Sequence, residues 1–481
     1  MLLLLPAIIS LAGGLLVPLF RNRPFRNAWV LTITLLSSAL LCWLCFARLG
    51  ASLTLFQLTD LFTLSFRLDT VNRIFLLLIA FLWPLASLYA FEYMAHEVRE
   101  SRFFCYYTLS YGVTQLLALS ANLVTLYCFY ECLTLVTLPL VTHQEDEISL
   151  RAGMAYLKFT VGGASLGLVG LIILAHFGAS GSFAPGGLLE MTQAVGWENP
   201  LRLAFLLSFL GFASKAALFP FSFWLPRASV APTPVTALLH AVAVVNGGVF
   251  ACLRLTYDCF GPAVLRGSWA QWAVQLLSIG TIFLGAILAV RERHLKRRLA
   301  WSTVYNLSYM LFSLSLLSPA GLAGALTHLV VHGVVKIILF FCAGAFLVQA
   351  KAEYLPSLRG IGRLMPLTAG AFALAGVALA GIPPFIGFLS KWQILNAAMA
   401  DGSPLAWVGA VAILLSSVLA CAYLLSPAIQ MFFLPAEHRP GIHDPSWRMI
   451  LPLALLCLGI LLLGFWSSPF FALLDAASVL Y

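Results

Sequence analysis

Charge is what this sequence has least of. Only 9% of its 481 residues are Asp, Glu, Lys or Arg, where a soluble protein carries about 25%. Hydrophobic residues make up 61% of the chain, and the mean hydropathy is +0.97. A soluble enzyme, a disordered chain and a collagen-like chain are therefore excluded. The strict alternation of a membrane β-barrel is also missing, because the apolar runs are continuous and about 20 residues long. The ten cysteines lie almost all inside those runs, without the dense grouping that a zinc site or iron–sulfur cluster needs. Cys128 and Cys132, one helical turn apart, read as small packing residues rather than metal ligands. No metal and no cofactor is expected in this chain.

What is present is an all-α polytopic membrane protein. Apolar runs of spanning length fall at about 1–20, 28–47, 72–94, 103–121, 122–142, 152–177, 200–224, 234–257, 268–290, 299–318, 320–349, 366–400, 404–434 and 449–473. That predicts about 14 transmembrane helices. The first run has no basic residues before it and no small-residue cleavage site, and reads as a retained helix rather than a signal peptide. The 27 Lys and Arg divide unevenly between the two sides. One set of loops holds 17, among them Arg21, Arg23, Arg26, the run from Arg291 to Arg298, and Arg439. The opposite set holds 6, including Arg67, Arg254 and Arg266, and four lysines lie within the spans. This asymmetry predicts that the first set is cytoplasmic and that both termini are on the outer side of a cell inner membrane. It also explains the net charge of +9 as a topology signal, so no nucleic-acid partner is expected.

The four lysines are Lys158, Lys215, Lys336 and Lys391, and Glu131 is similarly placed in LYCFYECLTLVTL. A charged side chain at the bilayer centre costs at least about 2.5–3.5 kcal/mol on insertion scales. Such residues ordinarily face a protein interior or a water path and carry ions or protons. An inert interhelical ion pair is the alternative for Glu131 with Lys215. Two lysines have helix breakers nearby: Lys215 precedes Pro220 in GFASKAALFPFSFWLP, and Lys391 follows Pro383 and Pro384 in ALAGIPPFIGFLSKW. Proline removes a backbone hydrogen bond, and breaks within a membrane concentrate where a polar path runs. Paired broken helices are the mark of repeat transporters. Five runs lie in 103–258 and five in 262–434, so an odd number per half would make the two repeats inverted. Residues 1–102 then form an N-terminal group of three helices, and 449–473 a C-terminal helix.

His328, His332 and Lys336 recur at i, i+4 and i+8 on one helical stripe. No carboxylate is near in sequence and the third group is a cation, so a proton relay with interposed water fits better than zinc. Core histidines bonded to carbonyls are the bland alternative. His240, in TPVTALLHAVAVVNGGVF, should lie at a depth similar to Lys215, with Gly247–Gly248 loosening its helix.

These stretches, with HLKRRLAWSTVYNLSYML, LTHLVVHGVVKIILFFCAGAFLV and LAGIPPFIGFLSKWQIL, resemble the antiporter-like subunits of respiratory complex I, of Mrp-type sodium/proton antiporters and of membrane-bound [NiFe] hydrogenases. The resemblance covers most of 122–400. It implies a fourteen-helix fold with two inverted five-helix repeats. It also implies a proton relay through Glu131, Lys215, His240, His328, His332, Lys336 and Lys391. Where the family's sixth helix usually begins Lys-Tyr, this chain has Ala155-Tyr156 with Lys158 two residues later. Lys158 is therefore read as an interfacial lysine ahead of a relay member.

The expected function is that of a proton-translocating subunit, with sodium/proton antiport left open, in a multi-subunit redox-driven pump. The alternatives are a stand-alone solute transporter, a non-redox member of an Mrp-type antiporter assembly, or a structural component with an inactive path. The chain itself carries no catalytic chemistry. Its expected partners are lipid, other membrane subunits including further antiporter-like ones, and, if redox-driven, peripheral redox subunits on the cytoplasmic side. An NADH:quinone oxidoreductase and a hydrogenase remain equally open as the assembly.

Overall fold

Without water in the bilayer, a chain this apolar satisfies its backbone groups within each segment, and helices dominate. The computed structural model describes residues 1–59, 62–177, 181–189, 195–435 and 441–481. Each apolar run coincides with a helix or with a closely spaced pair of helices. Among the described residues, ten helices are long and apolar enough to cross a membrane, or up to 11 if a bent pair is one span. Polar residues mark where helices begin. Asp69 closes a capping box at the start of Thr70–Tyr93, and Asn122 accepts from the Thr125 amide. Asp146, Ser268, Ser318 and Ser403 cap four further helices.

The most buried segments are the least purely apolar. All of Thr233–Phe260 is buried, including His240, Asn246, Arg254 and Asp258. The Pro319–Ala350 helix is buried along nearly its whole length and carries the His328–His332–Lys336 stripe. Peripheral helices such as Trp447–Phe465 bury one face only. Close helix approach depends on small residues: a Cβ at Gly211 would lie 2.5 Å from the Gly167 nitrogen of the adjacent Glu147–His176 helix.

Breaks occur at both proline sites. The Glu198–Ala213 helix ends just before Lys215, and a short 3-10 turn, Phe221–Phe223, leads into Trp224–Ala228. The 366–400 run divides into Pro366–Ala380 and Ile386–Asp401. Gly381 at that break has φ +86°, a conformation glycine adopts without a Cβ penalty.

Several features depart from the sequence reading. The 234–257 run is interrupted at Val242–Ala243, between Thr233–Ala241 and Val244–Leu253, rather than at Gly247–Gly248, and it ends in a π-turn, Arg254–Phe260. The last run is two helices, Trp447–Phe465 and Ser468–Ser478. A two-stranded antiparallel hairpin, Ser52–Gln57 with Thr63–Arg67, was not expected; Asn122 donates to its Thr63 carbonyl at 2.9 Å. Arg254, counted among the loop cations, is 1% exposed and lies inside a span. Arg439 falls outside the described residues.

Candidate functional site

Lys215 sits in the first break and is fully buried. Its ammonium donates to the carbonyl of Tyr130 and lies 3.4 Å from the centroid of the Tyr130 ring. The Tyr130 hydroxyl in turn donates to Phe212 O at 2.8 Å, tying the Leu123–Val141 helix to the end of the broken helix. Glu131 is half-buried and makes no direct ion pair with Lys215 among the described residues. Its Oε1 is shielded and has no hydrogen-bond partner. The lysine is thus held by the backbone of the residue before Glu131 and not by its carboxylate.

His240 is buried in the short Thr233–Ala241 helix. Its Nε2 is 3.3 Å from Ser229 Oγ, its Nδ1 has no partner, and its ring lies 4.8 Å from that of Phe340. Phe340 is one turn beyond Lys336 on the long buried helix, so His240 stands beside the helix that carries Lys336.

In the second half, Lys336 Nζ donates to Leu299 O at 2.9 Å and to Ser302 Oγ. From Ser302 a series of hydrogen bonds continues. Asn306 Nδ2 donates to Ser302 O at 2.6 Å, and Asn306 Oδ1 is 3.1 Å from His328 Nε2. His328 Nδ1 is 3.0 Å from Ser390 Oγ, and Ser390 directly precedes Lys391. Lys391 Nζ donates to Ala380 O at 2.8 Å and to Ser417 Oγ at 2.9 Å. Lys336 and Lys391 make no contact with each other; three helices supply the side chains between them. His332, one turn from His328 and with rings 6.4 Å apart, is fully buried with both ring nitrogens unpartnered. Buried polar atoms of this kind are the usual positions of internal water.

The asparagine orientation follows from its neighbours. With Nδ2 on a carbonyl, Asn306 presents its oxygen to His328, so Nε2 of that ring carries a proton. Ser390 Oγ lies 3.0 Å from Gly387 O as well. Its single hydroxyl proton can go to that carbonyl or to Nδ1, but not to both. When it goes to Gly387 O, the Ser390 oxygen becomes an acceptor for a second proton on His328. One hydroxyl rotation therefore switches this ring between a neutral and a doubly protonated hydrogen-bond environment.

The sequence reading missed Ser302, Asn306, Ser390 and Ser417. Each is an uncharged polar residue in an apolar helix; only Ser390 carried a sequence signal, its position directly before Lys391, whereas Ser302, Asn306 and Ser417 lie on helices without an expected relay member. Lys158 is placed apart from this network. It is exposed on the outward side of the Glu147–His176 helix. Cys128 and Cys132 are exposed rather than packed inside. Cys42 and Cys45 do have Cys-x-x-Cys spacing on the Arg23–Ala47 helix. No group of three or more His, Cys, Asp or Glu among the described residues has the arrangement of a metal site.

A second buried charge cluster lies outside the expected set. Arg254 Nη2 donates to both Asp69 oxygens at 2.8 and 2.7 Å, and Nη1 donates to Asp258 Oδ2 at 2.8 Å. The Tyr481 hydroxyl donates to the other Asp258 oxygen. The cluster joins the start of Thr70–Tyr93, the π-turn and Tyr481. A guanidinium with two carboxylates around it is static, because arginine does not release its proton.

Comparison with known proteins adds an independent line. The family described as NADH:quinone oxidoreductase/Mrp antiporter, TM, matches residues 120–419. NADH-Ubiquinone oxidoreductase (complex I), chain 5 N-terminus, matches 58–104. The A/B component of a probable K(+)/H(+) antiporter of Rhizobium meliloti (strain 1021) is 34% identical over 407 residues, covering 83% of this chain and 40% of that protein. NADH-quinone oxidoreductase subunit L of Mycobacterium tuberculosis (strain ATCC 25618 / H37Rv) is 32% identical over 398 residues, covering 80% and 61%. The chain thus spans about half the length of these relatives. In fold, it superposes on a chain of respiratory complex I from Thermus thermophilus with a TM-score of 0.84 at 23% identity, covering 99% of this chain and 98% of that one.

Proposed function

The chain belongs to the NADH:quinone oxidoreductase/Mrp antiporter family, and from that membership we propose that it is a proton-translocating membrane subunit of a multi-subunit ion pump. The observation that carries this reading is the buried series from Lys336 through Ser302, Asn306 and His328 to Ser390 beside Lys391. Protons enter at Lys215, whose affinity for its proton is governed by Glu131. They cross between halves at His240, pass along Lys336, His332 and His328 with water filling the unpartnered positions, and leave from Lys391. Asparagine does not itself hand on a proton, so water beside Asn306 completes the step. This chain breaks no covalent bond. The driving energy comes from partner subunits.

The reading includes fourteen membrane-spanning segments arranged as two inverted five-helix repeats, 103–258 and 262–434, flanked by 1–102 and by 449–473. It places the protein in a cell inner membrane with both termini outside, next to other antiporter-like subunits. Peripheral redox subunits sit on the cytoplasmic side if the assembly is redox-driven. Membership of a non-redox cation/proton antiporter is the second reading, favoured by the similarity to a component of a K(+)/H(+) antiporter.

Lys215→Ala in the intact assembly tests the first reading. Acidification of membrane vesicles should fall at least about tenfold while the assembly still purifies whole. Unchanged acidification would refute the relay. Acidification that requires sodium or potassium on the opposite side would favour the second reading.

A further inference from the structure

Lys158 has no role in the path just described, yet it is the most unusual residue on the protein's outer surface. The helices Leu123–Val141 and Glu147–His176 form a hairpin about a short turn. Glu131 lies ten residues from the turn end of its helix and Lys158 eleven residues from the start of the next. At about 1.5 Å per residue, both sit some 15–17 Å from the turn, near the middle of the bilayer. Glu131 leans inward and is half-buried, whereas Lys158 is exposed, and no hydrogen bond, ion pair or ring contact holds it among the described residues.

Exposed apolar residues lie near both ends of that helix, among them Leu150, Met154 and Ile172, but the stretch around Lys158 is small and polar. Gly162 and Ser165 are exposed on the same stripe as Lys158; Ser165 bonds back to the Val161 carbonyl, and nothing lies within 4 Å of a Cβ built on Gly162. Cys128 and Cys132 are exposed on the adjoining helix. The outward side of the Pro404–Phe433 helix makes the contrast. Its mid-span exposed residues include Trp407, Val411, Leu414, Leu415 and Val418. That is the composition lipid demands. Small and hydroxyl-bearing residues instead let another helix approach closely, and a mid-depth lysine pairs with protein or lines water.

We infer that the outward face of these two helices is a docking surface for a transmembrane helix of a neighbouring membrane subunit, one that presents an Asp or Glu at mid-membrane depth to Lys158. The partner's chemistry follows from the charge. An unpaired ammonium here is costly in lipid, and a carboxylate both neutralises it and accepts its hydrogen bonds. Gly162 provides the close approach, and Ser165 is available one turn deeper for a second polar contact. Docking here also covers the half-open side of Glu131, so the proton path is closed to lipid only when the neighbour is seated.

The experiment uses the whole assembly in native membranes. A photo-crosslinking phenylalanine analogue replaces Met154, which is exposed on this face, and crosslinked peptides are mapped by mass spectrometry. The expected product joins residue 154 to a transmembrane helix of another subunit that carries an acidic residue in its middle third. A product with lipid alone, or with a helix lacking such an acid, overturns the inference. In parallel, Lys158→Glu should reduce co-purification of that neighbour at least about tenfold, and Lys158→Arg should preserve it. Reversing the partner's acid to lysine should rescue Lys158→Glu. If Lys158→Glu assembles normally, the lysine merely snorkels to the headgroups and the inference falls. These readouts report assembly and not acidification, so their failure leaves the proton path standing, and loss of the path leaves them unaffected.

Discussion

Lys391→Met separates a lysine kept for transport from one kept for structure. Lys391 is 5% exposed, and no carboxylate lies within ion-pair distance of it among the described residues. Its partners are Ala380 O and Ser417 Oγ. Ala380 ends its helix, so its carbonyl is one of those the helix cannot satisfy. Hydrogen bonds from a charged donor are worth about 1.5–3 kcal/mol each, and the orphaned carbonyl is included in that loss. Methionine therefore forfeits about 3–6 kcal/mol of contacts. Against this, an ammonium without a counter-charge suffers a desolvation penalty of several kcal/mol that methionine escapes. Ser417 stays satisfied, since it reaches Ile413 O at 2.7 Å. The two terms nearly cancel. Thermal unfolding of the detergent-solubilised assembly should shift by no more than about 2 kcal/mol would produce, while vesicle acidification is lost. A Met variant that pumps normally refutes the relay role. One destabilised far beyond that limit, with residual pumping in proportion to folded protein, shows that the lysine is a structural plug at the break.

Two further outcomes are expected. Glu131→Gln should depress acidification nearly as much as loss of Lys215, whereas Glu131→Asp should retain part of it; equal behaviour of the two in the vesicle assay would show that the charge is not what matters. Arg254→Leu should destabilise the protein by about 3–5 kcal/mol, because it leaves the buried Asp258 carboxylate without its cation and Asp69 with Arg67 alone, at 3.6 Å. Arg254→Leu combined with Asp258→Leu should be less unstable than the single change, as read by unfolding in detergent.

The sequence made the charged residues legible and left most of their partners hidden. Lys215, Lys391 and the stripe of His328, His332 and Lys336 announce themselves because ionisable groups are rare in apolar runs, and Pro220 and Pro383–Pro384 announce the breaks. Ser302, Asn306 and Ser390 do not stand out, because serine and asparagine are common in membrane helices and their meaning comes from contacts with His328 and Lys336, 22 to 62 residues away in the chain. The interruption at Val242–Ala243 was misplaced for a related reason. Glycine permits a loosened helix but does not require one, and Asn246, whose Nδ2 donates to Ala241 O at 2.8 Å, stabilises the break one turn earlier. Arg254 was misread because a lone arginine near the end of an apolar run is ordinarily a loop residue. Only the fold brings Asp69, 185 residues away, to meet it.

The protein treats its buried cations in two distinct ways, and the difference bears on function. Arg254 is matched by two carboxylates in fixed geometry, and its side chain cannot give up a proton. Among the described residues Lys215, Lys336 and Lys391 have no carboxylate at contact distance; carbonyl and hydroxyl oxygens hold them, with the Tyr130 ring 3.4 Å from Lys215 and the Tyr309 ring 5.8 Å from Lys391. Such partners favour the ammonium but do not fix it as a carboxylate at contact distance would. At Lys336 and Lys391 a neutral amine can still be accommodated, because the Ser302 and Ser417 hydroxyls rotate to donate to it. An ion pair at each lysine would hold the proton in place and leave a buried negative charge when it left. Carbonyls and hydroxyls leave no charge behind. Glu131 is set close to Lys215 but makes no ion pair with it among the described residues, so in the proposed path a small movement between them changes how tightly the proton is held. The proposed relay asks for sites of this kind, which can load and release a proton, whereas the Arg254 cluster is static.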